Sequence, residues 1–150
     1  MFRLRPAVVV IAALLCQAGQ SAERRPITVS EASELVRALL KPDGWTKLPR
    51  FVLYQALFDA AFKDFYFIHA ESGKPPVAIG HYAVERSTGE VWDWVRCGEF
   101  NSPALREAQE ALRKRIGLSA AEYQKIRKPG PFCEPGEAPQ ALTMGRPKPK

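Results

Sequence analysis

Val77-Ala78-Ile79-Gly80-His81-Tyr82-Ala83-Val84-Glu85-Arg86-Ser87-Thr88-Gly89-Glu90-Val91-Trp92-Asp93-Trp94-Val95-Arg96-Cys97 carries the plainest structural signal in the chain. Two runs of β-branched and aromatic residues flank Ser87-Thr88-Gly89, a tight turn in which Gly89 suits the left-handed position of a bulged hairpin. With Arg86 opposite Glu90 across a three-residue loop, Val84 faces Trp92 and Tyr82 faces Trp94. Tyr82, Trp92 and Trp94 then share one face, and His81, Val91, Asp93 and Val95 share the other. Aromatic cross-strand pairs of this kind contribute about 0.2–1 kcal/mol each. Both faces are largely apolar, so each needs a cover.

Working outward, Phe65-Tyr66-Phe67-Ile68-His69-Ala70 reads as a preceding strand, and Gly73-Lys74-Pro75-Pro76 as the turn between. Thr28-Val29-Ser30-Glu31 fits a capping box, and the apolar residues Val29, Ala32, Leu35, Val36, Leu39 and Leu40 make one stripe at helical spacing. Pro49 opens a second helical pattern through Phe51, Tyr54, Leu57, Phe58 and Phe62. Ser102-Pro103 starts a third helix, which Gly117 stops, and Ser119-Ala120-Ala121-Glu122 starts a fourth. The expected fold is therefore α+β. A three-stranded antiparallel β-meander packs against two N-terminal helices, followed by two C-terminal helices and a disulfide-clipped tail.

The N-terminus reads as an address. A short basic start, an apolar run from Ala7 to Leu15 and the small residues Ala18, Gly19, Ser21 and Ala22 have the layout of a secretory signal peptide. That run is too short for a membrane span, which needs about 18–20 apolar residues. Leu15 before Cys16 is too bulky for a lipoprotein signal. The expected organisation is a signal peptide at 1–22, one α+β domain at 23–128 and a Pro-rich basic tail at 129–150. The protein is then periplasmic or secreted. In that oxidising compartment Cys97 and Cys133 are expected to pair, closing a loop of about 37 residues worth about 3–4 kcal/mol.

Charge and motifs narrow the function classes. The net charge of +6 is concentrated in the first five residues and in 125–150, so residues 23–124 carry as many acids as bases. A neutral folded region lacks the electrostatic footprint of a nucleic-acid binder, and no nucleic-acid partner is expected. No metal and no cofactor are expected either: the cysteines lie far apart in sequence and the chain lacks a Gly-rich phosphate loop. His81 with Asp93 is the one pair resembling a general base with its orienter, and no nucleophile motif accompanies it. Tyr82, Trp92 and Trp94 are the candidate partner-binding residues, because tryptophan and tyrosine are enriched in binding hot spots. The same face is otherwise buried under the helix at 103–116, and the residues alone leave both readings open.

Ile27-Thr28-Val29-Ser30-Glu31-Ala32 and Gly80 to Trp92 together resemble the PepSY-like group of small secreted domains, with which some bacterial toxin-immunity proteins share a likeness; the resemblance covers residues 27–95. It implies a domain that acts by binding, with no catalytic residue to carry over. The expected function is a non-enzymatic binding protein of the bacterial envelope, an inhibitor or immunity protein that blocks a protein partner such as a toxin or hydrolase. The alternatives are a small envelope hydrolase using His81 and Asp93, and a structural wall- or membrane-associated protein.

Overall fold

The computed structural model describes residues 24–57, 60–131 and 140–142. Helix α1 (Val29–Leu40) opens the fold. Thr28 Oγ1 accepts from the Glu31 amide at 3.2 Å, and Glu31 Oε2 accepts from the Thr28 amide at 2.7 Å, so both halves of the capping box are present. Its buried stripe is Ala32, Leu35, Val36, Leu39 and Leu40.

The chain then builds a sheet in sequence order from β1 (Val52–Ala56), β2 (Phe65–Ser72), β3 (Val77–Glu85), β4 (Val91–Asp93) and β5 (Gly98–Phe100), each antiparallel to the last. Helices α2 (Pro103–Arg115) and α3 (Ala120–Ile126) follow, and β6 (Gln140–Leu142) pairs in parallel with β5. Ser102 caps α2 through its hydroxyl, at 3.3 Å from the Leu105 amide. The α2 C-terminus closes as a Schellman motif: the Leu118 amide reaches Arg113 O and the Gly117 amide reaches Lys114 O.

These elements correct the expected three-stranded meander with two N-terminal helices. The second helix does not form. Its apolar residues instead make edge strand β1, a 3₁₀ turn at Ala60–Phe62 and the start of β2. A short aromatic run satisfies helical and extended spacing alike, and the unpaired edge of the long β2 decides between them. In the strand, Leu53 packs toward the helices while Tyr54 stands on the opposite face beside His69. The expected single strand over 90–97 is also broken. Asp93 Oδ1 accepts from the Val95 and Arg96 amides at 2.9 and 3.0 Å, turning the chain between β4 and β5.

The hairpin register differs by one residue from expectation. Glu85 and Glu90 pair through a 2.9 Å backbone bond, and Val84 faces Val91, Ala83 faces Trp92 and Tyr82 faces Asp93. The loop holds four residues because the Glu85 carboxylate fills it, accepting from the Ser87 and Thr88 amides and the Thr88 hydroxyl. A slip of one residue exchanges the faces of everything downstream. Two apolar layers result. On the helix side, Leu35, Leu39, Ile68, Val84, Val91 and Leu112 form the larger core. On the outer side, Phe67, Ala83 and Trp92 are buried with Phe62, Phe65 and Trp94 packed around them.

Candidate binding face

Among the described residues, the outer face of the sheet is covered at one end and open at the other. Tyr123 on α3 donates its hydroxyl to Glu90 Oε1, and Arg127 just beyond α3 donates Nε to the same oxygen at 2.6 Å and a second nitrogen to Glu99. Burial and the adjacent Glu90 raise the Tyr123 phenol to about 12. Gly130 then lies flat on Trp92: a Cβ there would stand 2.5 Å from the indole. Trp92 is therefore only 2 % exposed. Lys128 completes the attachment through Asp64 at 2.6 Å.

Beyond this cover no other described element lies over the face. Val52 and Tyr54 of β1, His69 of β2, His81 of β3 and Trp94 after β4 lie on it, with Val52 45 % and Tyr54 40 % exposed. The aromatic rings touch one another. His69 and His81 face each other across the strands with centroids 4.5 Å apart, Trp94 lies 5.7 Å from His81 and 5.3 Å from Phe67, and Tyr54 lies 5.4 Å from His69. The Tyr54 hydroxyl donates to Glu71 at 2.5 Å, which holds its ring over the sheet. Nε2 of His69 and Nδ1 of His81 are buried without a hydrogen-bond partner among the described residues. Burial, and then the charge His81 would carry, hold the His69 imidazole below its usual range, with Glu71 pulling the other way.

The structure does not bring the expected binding residues onto one face. Tyr82 points to the helix side, is 1 % exposed and packs on Phe100. It lies across Gly80, where a Cβ would stand 2.4 Å from its hydroxyl. Of Tyr82, Trp92 and Trp94, only Trp94 is on the outer face and partly exposed. The His81–Asp93 pair does not form either. Asp93 pairs with Tyr82 and so takes the opposite face from His81, and its second oxygen binds Arg96 at 2.8 Å. Other carboxylates on and around the sheet are engaged: Glu85 in its loop, Glu90 and Glu99 with Arg127, Asp64 with Lys128 and Glu71 with Tyr54. Cys97 is disulfide-bonded, while Cys133 lies outside the described residues, as does the signal-like segment.

Sequence reasoning missed Tyr54 and His69 as site residues. The period-two spacing Val52-Tyr54-Ala56 and Phe67-His69-Glu71 was the available signal. Among the described residues no group of three or more His, Cys, Asp or Glu is placed to hold a metal, and no helix is long and apolar enough to cross a membrane.

No protein-family model matches the chain, so the PepSY-like resemblance gains no support. No curated protein matches it either. Among solved structures, one chain of a type VI secretion system effector-immunity complex from Pseudomonas protegens is similar, with a TM-score of 0.54 and 21 % identity over 67 % of this chain and 85 % of that one. The likeness is one of fold.

Proposed function

We propose that this protein is an exported, non-enzymatic inhibitor of the immunity type, which docks on an effector-class enzyme through the open part of its outer sheet face. The observation that carries the reading is that face: exposed Val52 and Tyr54 beside a run of touching rings, Tyr54 on His69, His69 on His81 and the partly buried Trp94 on His81 and Phe67. Tryptophan and tyrosine anchors in such a surface are the usual carriers of binding energy. A fold shared with one chain of an effector-immunity complex supports the same reading. So does the signal-like N-terminus, which sends the protein to the envelope, where a wall- or peptide-cleaving enzyme is the class of partner to block.

The test uses the mature protein, with its disulfide oxidised, to capture a stoichiometric enzyme from the native envelope and then to inhibit that enzyme's turnover. Trp94→Ala should weaken inhibition about ten-fold or more, the scale of a lost hot spot. Trp94 also packs on Phe67, so Val52→Glu provides a second variant on the same face that leaves the packing alone. If both variants inhibit like the wild type, the face is wrong. If no enzyme is inhibited and the protein itself turns over wall fragments, the inhibitor reading is wrong.

A further inference from the structure

Arg50 sits where its fold has no use for it. Leu48-Pro49-Arg50-Phe51 is a tight turn, closed by the Phe51 amide on Leu48 O at 3.2 Å, and Arg50 is its third residue with φ +57°. A third turn position with positive φ is one that glycine or asparagine fills without strain. The backbone there is firmly held: Pro49 O accepts from the Gly73 amide at 3.0 Å and from the Ser72 hydroxyl at 2.8 Å. Among the described residues the only other non-glycine with positive φ is Cys97 (φ +53°), whose side chain is committed to a disulfide. Arg50 is exposed and makes no hydrogen bond or ion pair with any described residue. A strained backbone that presents an unused side chain points outward, to something the side chain meets.

Its surroundings say what that is. Lys47 lies at the end of the 3₁₀ turn Trp45–Lys47, and Lys74 follows Gly73 in the turn pinned to Pro49. Both are exposed and, like Arg50, are unpaired among the described residues. The bordering acid, Glu71, is bonded to Tyr54. Arg50, Lys47 and Lys74, each uncommitted among the described residues, thus sit on the linked turns that lead into β1, the strand that carries Val52 and Tyr54. We infer that this tip is the electrostatic half of the docking surface, with Arg50 receiving a carboxylate of an acidic protein partner. A guanidinium carried on a firmly held turn beside an aromatic face matches bidentate recognition of a carboxylate. Adsorption to an anionic membrane calls instead for a longer, flexible run of basic residues.

This inference rests on the proposed protein partner, and the experiment separates the two. Arg50→Gly is compared with the wild type for melting temperature, for affinity and its salt dependence toward the captured enzyme, and for binding to vesicles of equimolar phosphatidylglycerol and phosphatidylcholine. The expected result is a melting temperature unchanged or higher, affinity about ten-fold weaker and a shallower salt dependence. Arg50→Lys should fall between the two. A clear drop in melting temperature would assign Arg50 to the fold and overturn the inference. Wild-type affinity in Arg50→Gly, with binding lost in Trp94→Ala, would overturn it while leaving the inhibitor reading intact. Loss of vesicle binding with enzyme affinity kept would make the occupant a membrane and overturn it too. If no enzyme binds the wild-type protein, both readings fail.

Discussion

His69 and His81 occupy the same register across β2 and β3, with ring centroids 4.5 Å apart and one buried, unpartnered nitrogen each. Two positive imidazoles in that geometry would repel, and partial burial weakens the screening by water. The groups that face His69 are Tyr54 on β1, Glu71 on its own strand, His81 on β3 and Trp94 beyond β4. Of these, Glu71 favours the charged form and is outweighed by burial and His81. The unfolded chain therefore binds a proton at a pH where the folded chain does not. The stability that follows is complete above the unfolded value of about 6.5 and is lost as pH falls through the depressed folded value. The melting temperature should drop as pH falls below about 6.5, and His69→Phe should remove that part of the drop. Equal pH profiles for the wild type and His69→Phe would show that the pair carries no such linkage. An imidazole titration by NMR gives the folded value directly.

At the scale of elements, the helix starts were legible because capping is local. Thr28 with Glu31, Ser102 with Pro103 and Ser119 with Glu122 all close within four residues, as their spacing required. The Glu31 carboxylate is the clearest case. Its hydrogen bond from Arg25, then that from the Thr28 amide, lowers it to about 2, so its stabilising effect is full above about 4.5 and fades only as pH falls toward 2. Thr28→Ala should cost about 1 kcal/mol at neutral pH, read by urea unfolding. A change within error would mean that α1 is held by its buried stripe alone. What was not legible depended on groups distant in sequence. β1 exists because β2 needs an edge partner, and the hairpin register depends on the Glu85 carboxylate turning back into its own loop. That one-residue difference took Tyr82 to the helix side. Trp94 could be picked out from its residue type, whereas Tyr54, His69 and Arg50 needed the sheet to place them.

For the whole molecule, the division of the outer face into covered and open parts depends on how the segment after α3 is held. Arg113 on α2 bonds Thr88 O at 2.8 Å and lies 3.9 Å over the Tyr123 ring, so the helix layer reaches round the hairpin end to α3. Arg127 then bridges Glu90, which is fully buried, and Glu99, whose carboxyl is raised by burial and by Glu90. Glu90 Oε2 already lacks a partner, so removing the guanidinium leaves a buried carboxylate bonded only through Tyr123. The Arg127 side chain is itself 38 % exposed, which screens the ion pair, so the cost rests mainly on the stranded acceptor. Arg127→Ala should therefore destabilise by about 1–3 kcal/mol. Adding Glu90→Gln should recover part of that loss, because a neutral amide is cheaper to bury unpaired than a charge. The same variant should free the segment over Trp92 and speed tryptic cleavage after Lys125. If Arg127→Ala keeps the wild-type melting temperature and cleavage rate, the contact of Gly130 with Trp92 is what holds the cover down. Gly130→Ala, which places a methyl 2.5 Å from the indole, is then the substitution that opens it.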